Sequence, residues 1–264
     1  MEEVKILEYN VLHGFHLSEK PFSLEKERLK KAKEIISDED PDILAITEAC
    51  YGGENPFDVH LNYKRVFGFP YAFFGKWGNF EWGNCLLSRY PLEAELVEFG
   101  NRTAIRGKVF LGNRVVRIDL IHPSPEISDN EKINLIKPFL KSRKGLYFLA
   151  GDFNSISDED KYNRELLLEA FKKFERNPAR SVNRLMKRRF IPYLREAGLK
   201  DTFSKSSRKP TIPSKMHMTD KNSSMRIDFI FSSPDVKVKK TKVIRNKLSD
   251  FASDHYPIAG TYRI

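Results

Sequence analysis

The sequence predicts a mixed or antiparallel α/β layered fold. Three observations carry that expectation. Apolar runs of strand length recur from end to end, they outnumber the helix-like segments between them, and one pair is joined by a hairpin turn. Residues 4–9 read as the first strand. Ser23 is placed to cap a helix running to about residue 37, with Leu29, Ala32, Ile35 and Ile36 along one side. Pro41-Asp42 punctuates, residues 43–47 form a buried strand, and residues 84–88 form another, closed by Arg89-Tyr90-Pro91. Residues 103–111 and 114–121 face each other across Gly112-Asn113. In the second arm Val116, Ile118 and Leu120 share one face, and Arg117 and Asp119 share the other. Residues 130–141 are helix-like, and Pro138 is expected to kink that helix or end it early. Residues 146–150 read as a buried strand, 159–174 and 182–197 as helices, and 226–231 and 256–263 as strands. No internal repeat, low-complexity tract or Pro/Gly/Ser linker divides the chain, so residues 1–264 are expected to form a single domain.

Composition narrows the class. A chain of 264 residues, 40% hydrophobic and 31% charged, has the make-up of a globular protein able to bury a substantial core without metal or disulfide staples. No apolar run is long enough to cross a bilayer, and the N-terminus lacks a basic-then-apolar signal, so a cytoplasmic location is expected. Cys50 and Cys85 form no C-x-x-C pair, which argues against zinc and leaves both as small buried hydrophobes. The formal charge of +10 favours polyanionic partners, although lysine-rich surfaces also serve solubility.

Polar residues recur where apolar strands end. Asn10 follows the first strand, Glu48 the second, His122 the hairpin's second arm, and Asp152 and Asn154 the run Leu149-Ala150-Gly151. Asp228 lies within a late strand, and Asp254-His255 precedes the last one. Antiparallel neighbours place the end of one strand beside the start of the next, so one rim of the sheets can gather these groups. Carboxylates in number suit Mg²⁺ or Mn²⁺, a histidine moves protons near neutral pH, and no serine or cysteine nucleophile stands in a recognisable setting. The inventory fits hydrolysis of a phosphate ester by water.

These residues belong to an ordered set of motifs: Glu8-Tyr9-Asn10-Val11-Leu12, Asp42-Ile43-Leu44-Ala45-Ile46-Thr47-Glu48, Gly83-Asn84-Cys85-Leu86-Leu87-Ser88, His122-Pro123-Ser124-Pro125, Gly151-Asp152-Phe153-Asn154-Ser155, Arg226-Ile227-Asp228-Phe229-Ile230-Phe231 and Ser253-Asp254-His255-Tyr256-Pro257-Ile258. In that order, over nearly the whole chain, the set resembles the endonuclease/exonuclease/phosphatase superfamily. The resemblance implies an α/β (α+β) four-layered sandwich, two packed mixed β-sheets flanked by helices. It also implies roles. Glu48 would be the main metal ligand, supported by Asn10, with Asp254 contributing to a metal site for Mg²⁺ or Mn²⁺. Asp152 would orient or deprotonate the attacking water, and Asn154 would hold a phosphate oxygen. Asp228 would pair with His255 and fix its tautomer, with His255 at the scissile phosphate. His122 stands where deoxyribonuclease-like members carry a catalytic histidine, and general acid to the leaving oxygen is its expected role.

Substrate class rests on fewer residues. The loop Trp77 to Gly83 is aromatic and glycine-rich; it suits base stacking and core packing equally, and Glu81 is a candidate partner for His122. A basic stretch holds Lys172, Lys173, Arg176, Arg180, Arg184, Lys187, Arg188, Arg189 and Arg195; Arg188 and Arg189 are taken as substrate contacts. Thr47-Glu48 departs from the Gln-Glu of apurinic-site nucleases, and Asn154-Ser155-Ile156 from the Asn-Tyr-Arg of inositol-phosphate phosphatases. The expectation is therefore a monomeric, metal-dependent nuclease with nucleic acid, DNA favoured, as its partner. Two alternatives stay open: a phosphatase or phosphodiesterase acting on a small or lipid phosphate, and a non-catalytic nucleic-acid-binding protein.

Overall fold

The computed structural model describes residues 3–16, 24–50, 59–78 and 82–264. In chain order its elements are β1 (Glu3–Asn10), α1 (Lys26–Glu39), β2 (Ile43–Cys50), α2 (Val59–Phe67), β3 (Tyr71–Lys76), β4 (Trp82–Ser88), β5 (Leu92–Phe99), β6 (Arg102–Leu111), β7 (Arg114–Leu120), α3 (Asp129–Ser142), β8 (Tyr147–Asp152), α4 (Arg164–Phe171), α5 (Pro178–Leu185), α6 (Phe190–Glu196), β9 (Lys200–Asp201), β10 (Asp228–Ser232), β11 (Lys237–Val243) and β12 (Ile258–Arg263). Two six-stranded mixed sheets result, in the orders β11-β12-β1-β2-β4-β3 and β5-β6-β7-β8-β10-β9.

Each sheet is built around one parallel pair, β1 with β2 and β7 with β8, and its other pairings are antiparallel. A helix links the strands of each parallel pair, α1 in the first and α3 in the second, because parallel neighbours need a crossover. The two halves thus repeat one topology that no sequence repeat announces.

Side-chain alternation makes the layers. Ile6, Ile43 and Ala45 of the first sheet face Ile118, Leu120, Phe148 and Ala150 of the second in the central core. Their neighbours Leu7, Leu44 and Ile46 turn outward onto Ala32, Ile35 and Ile36 of α1. Leu149, Phe229 and Phe231 turn outward from the second sheet onto Ile136 and Phe139 of α3 and Phe190 and Leu194 of α6. The architecture is a four-layered α/β sandwich, and each buried aliphatic or aromatic side chain contributes about 1.5–3 kcal/mol to holding it. Among the described residues no helix is long and apolar enough to cross a membrane.

Several expectations shift in detail. Helix α1 begins at Lys26 with Glu25 at its N-cap, and Ser23 lies outside the described residues. Pro138 does not end α3, which starts in a Ser128–Glu131 capping box and runs to Ser142. The carbonyl deprived of its partner belongs to exposed Asn134, while Ile136 and Phe139 keep packing inward. The helix expected over 159–174 is only Arg164–Phe171, started by Asn163, whose side chain accepts from the Glu165 and Leu166 N–H groups. The one expected over 182–197 is two helices, broken at Met186–Arg189 with Arg188 at φ 49°. Pro192, in the first turn of α6, is the signal for that break. Strands β3, β5, β9 and β11 went unanticipated; β5 exposes mainly one face, β11 is exposed on both over its first half, and both carry charged residues at alternate or successive positions.

Candidate active site

The sheets converge at one rim. Asn10 ends β1, Asp152 ends β8, and Asp228 opens β10 directly opposite Asp152 in the ladder. His122 follows β7, and His255 precedes β12. Glu48 reaches the same place through a β-bulge. The β2–β4 register slips between Ile46 and Ala49, and Glu48 sits in the left-handed region at φ 57°. For a non-glycine residue that conformation costs on the order of 1–2 kcal/mol. The bulge re-aims the side chain, and two N–H donors hold it: Asn10 Nδ2 to Oε1 at 3.2 Å and the His13 backbone to Oε2 at 3.1 Å.

Asp152 is the hub. Its Oδ2 accepts from Asn10 Nδ2 at 3.1 Å, lies 3.2 Å from His122 Nε2 and 3.8 Å from His255 Nε2. Its Oδ1 accepts from the Asn154 backbone N–H at 2.8 Å. Burial alone would raise this carboxyl, but the His122 charge and hydrogen bond, with His255 and the Asn154 N–H, hold it well below the usual range. Glu48 is also held down: His122 and His13 outweigh its burial. On the far side of His255, Nδ1 meets both Asp228 oxygens, at 3.0 and 2.9 Å. Burial, then the charge of Asp152, raises Asp228 to about 6. Burial opposes charge on His255, yet Asp228 and Asp254 prevail and keep it well above an ordinary histidine. At neutral pH the pair is imidazolium and carboxylate. His122 goes the other way: burial and Arg102 lower it, against the charges of Asp152 and Glu48. Its ring stands edge-on to Trp77 at 5.0 Å, and among the described residues Nδ1 meets no hydrogen-bond partner. Glu81, the partner expected from the sequence, lies outside the described residues.

Glycine at position 151 is obligatory. Its φ is 138°, and a Cβ there would stand 1.9 Å from the Ile121 carbonyl oxygen. That close approach brings the Asp152 and His122 segments together. Asn154, at φ 46°, turns its Nδ2 back onto the Pro123 carbonyl at 3.1 Å.

Three buried or half-buried cations that the sequence did not single out brace the rim. Arg28 of α1 donates to the Val11 and Leu12 carbonyls at 2.7 and 2.9 Å and to Ala252 at 3.0 Å, clasping the segments that carry Asn10 and His255. Fully buried Lys132 of α3 donates to the Asn154 carbonyl at 2.6 Å and Ser155 Oγ at 2.8 Å; burial lowers it to about 8 despite Asp129. Arg102 donates to the His122 carbonyl at 3.2 Å while lying 4.2 Å above Trp77. Glu8, buried one pleat below Asn10, is a fourth missed residue. Burial, then the charges of Asp228 and Asp152, pushes it far up. A buried charged residue inside an apolar strand or helix was the available signal for Glu8 and Lys132.

Asn10, Glu48, His122, Asp152, Asn154, Asp228 and His255 thus come together. Asp254 stands beside them, its Oδ1 accepting from Ser253 Oγ at 3.2 Å, and Ser253 in turn donates to the Asn10 carbonyl at 2.7 Å. Asn10 presents its NH₂ to the carboxylates and its oxygen to the Leu12 N–H. Asp152, Asp228 and His255 have ligating atoms within 4.8 Å of one another, but Asp228 and His255 already satisfy each other. Glu48 and Asp254 are only half-buried and open onto cavities. Arg188 and Arg189 stay away from the cluster. Arg188 donates to the carbonyls of Asp160 and Tyr162 at 3.4 and 3.3 Å, and Arg189 reaches Asn130 at 3.4 Å. The cations that line the cavities are Arg102 and Arg184.

Comparison with known proteins agrees with this fold. A structure described as an endonuclease/exonuclease/phosphatase from Beutenbergia cavernae DSM 12333 superimposes with a TM-score of 0.72 at 18% identity, covering 100% of this chain and 72% of that one. D. rerio TDP2 complexed with single strand DNA product gives 0.65 at 15% identity, covering 100% of both chains. An endonuclease/exonuclease/phosphatase family protein from Leptotrichia buccalis C-1013-b gives 0.66 at 18% identity, covering 99% of this chain and 100% of that one. At these identities the likeness is one of fold. No curated protein matches the sequence. Residues 7–255 match the Endonuclease/Exonuclease/phosphatase family, and the chain belongs to that family.

Proposed function

We propose that the protein hydrolyses phosphodiester bonds in nucleic acid, DNA in the first place, using water and a divalent cation. The observation that carries this reading is the convergence on Asp152 of two imidazoles, His122 Nε2 at 3.2 Å and His255 Nε2 at 3.8 Å, whose surroundings shift them in opposite directions. Such a pair separates proton acceptance from proton donation within one cluster.

The residues fit a hard cation. Glu48, Asp152 and Asp228 bring three carboxylates ionised at neutral pH around one imidazolium, and oxygen donors suit Mg²⁺ or Mn²⁺. Glu48 and Asp254 would hold the ion, with Asn10 aligning Glu48. Bound there, it supplies neutralisation of phosphate charge and stabilisation of the leaving oxygen.

The chain's own groups supply the rest. Asp152 orients the attacking water, and the water's proton passes to the Asp152–His122 pair. Asn154 Nδ2 exchanges the Pro123 carbonyl for a phosphate oxygen. The new bond joins the water oxygen to phosphorus, and the bond from phosphorus to the leaving oxygen breaks. His255 Nε2 gives its proton to that oxygen, and Asp228 holds Nδ1 throughout. The opposite shifts favour His255 as general acid, the role expected of His122 from the sequence.

Two facts favour nucleic acid: the charge of +10 and the DNA product carried by a structural relative. The apolar walls of one cavity beside the site support a second reading, a phosphodiesterase or phosphatase for a small or lipid phosphate. The deciding experiment offers single-stranded DNA, duplex DNA, an abasic duplex, RNA and inositol phosphates, each with Mg²⁺, Mn²⁺ or EDTA. Metal-dependent cutting of nucleic acid, lost in Glu48→Ala, is the expected result. Phosphate release from small esters alone would overturn the substrate assignment.

A further inference from the structure

Two cavities flank the site and meet at Pro125. The smaller, about 320 Å³, has Glu48 in its lining together with Trp77, Trp82 and Arg102. The larger, about 610 Å³, has Asn154, Asp254 and His255 at one end. The rest of its lining comes from the end of α4 and the turn after it, α5 and the segment before β10, and sets Phe171, Phe174, Met216 and Met218 beside Glu175 and Arg184. Phe174 is 51% exposed, and its ring lies 5.1 Å from that of Phe171. A large aromatic ring left in solvent beside a catalytic cluster offers a flat face with nothing stacked on it.

The same wall carries a cation. Arg184 is half-buried, and among the described residues its Nε is buried without a hydrogen-bond partner. Burial lowers it, and the charges of Glu175 and Asp129 only offset that effect. Glu175 lines the same cavity, but the Nε–H of Arg184 is left for a further acceptor. An acyl chain would satisfy the apolar wall and leave Arg184 unpaired. A nucleotide strand satisfies both, because it alternates flat bases with phosphates. A base inside a duplex is already stacked on both faces and cannot lie against Phe174.

Resting on the nuclease reading above, we propose that the larger groove holds an unpaired nucleotide adjoining the scissile phosphate, its base on Phe174 and its next phosphate on Arg184. The enzyme's substrate on this side of the cut is single-stranded. Met216 and Met218 supply a deformable floor that accepts any base, so the groove selects for strandedness and not for sequence.

The test is binding of a labelled single-stranded oligonucleotide by fluorescence anisotropy in EDTA, where nothing is cut, beside a duplex, a base-free sugar–phosphate oligomer and vesicles of a neutral phosphodiester lipid. Phe174→Ala is expected to weaken single-strand binding about ten-fold, within the range for one base–aromatic stack, and to change binding of the base-free oligomer far less. Arg184→Gln is expected to flatten the slope of log affinity against log salt by about 0.7, the value for one phosphate contact on a single strand. Thermal unfolding of both variants checks that they remain folded. If neither variant alters single-strand binding while the oligonucleotide is still cut with Mg²⁺, the groove assignment is wrong and the nuclease reading survives. Equal affinity for duplex, with Phe174→Ala weakening both alike, overturns the single-strand assignment. Vesicle binding with no oligonucleotide bound or cut overturns both readings.

Discussion

Asp119 offers a test of the electrostatics that hold the rim together. It lies on β7, three residues before His122, and its buried Oδ2 accepts from the Tyr147 hydroxyl of β8 at 2.8 Å. The bond ties the two parallel strands that lead to His122 and Asp152. Burial raises this carboxyl to about 7, against the partial relief of the Tyr147 hydrogen bond and of Arg106, whose Nε is 3.7 Å away. A carboxyl raised on folding binds more protons in the native state than in the unfolded one. Its contribution is therefore fully present below its ordinary value of 3.8 and is lost as pH rises through about 7. Between pH 5 and pH 8 the loss covers about two pH units, or about 3 kcal/mol. Asp119→Asn keeps an acceptor for Tyr147 and removes the titration. Guanidinium unfolding followed by circular dichroism at pH 5, 6, 7 and 8 should show the parent losing about 3 kcal/mol more than the variant over that interval. In thermal scans this corresponds to roughly 6–12 °C for a chain of this size. Parallel pH profiles for parent and variant would show that Asp119 is ionised throughout, and would refute the reasoning.

Three other changes have defined outcomes. Glu48→Ala and Asp152→Ala should each keep a native circular dichroism spectrum and lose at least about 10²-fold in turnover; activity retained in either would remove that residue from the site. Asp228→Asn should lower kcat about 10–100-fold, as loss of an orienting partner does. It should also move the basic limb of the pH–rate profile to lower pH, because His255 loses the charge that keeps it protonated; an unmoved limb would count against His255 as the acid. Arg226→Met leaves Asp160 and Asp201, each 2.9 Å from the guanidinium, with an uncompensated buried charge, at a cost of about 3–5 kcal/mol. A loss below about 1 kcal/mol, measured by denaturant unfolding, would mean that Arg208, 3.4 Å from Asp201, takes over.

The sequence by itself determined the class of the fold and the strand-end residues that the fold gathers at one rim. Strand periodicity placed Val116, Ile118 and Leu120 on one face and Arg117 and Asp119 on the other, and polar residues in and beside the strands named Asn10, Glu48, His122, Asp152, Asn154, Asp228 and His255. These are local properties: a pleat alternates within a few residues, and a motif is a short string. Tertiary structure alone decided how the site is held and charged. Nothing near Lys132 in the chain announces that its ammonium meets the Asn154 carbonyl, or near Arg28 that it clasps segments more than 200 residues apart. The basic stretch was legible as charge, yet only packing chose Arg184 for the groove and turned Arg188 onto backbone carbonyls. The opposite shifts of His122 and His255 likewise come from unequal company in the folded rim, Arg102 beside one and Asp228 beside the other. Burial and the charges that distance brings together set a proton's affinity, and neither exists until the two sheets have closed on each other.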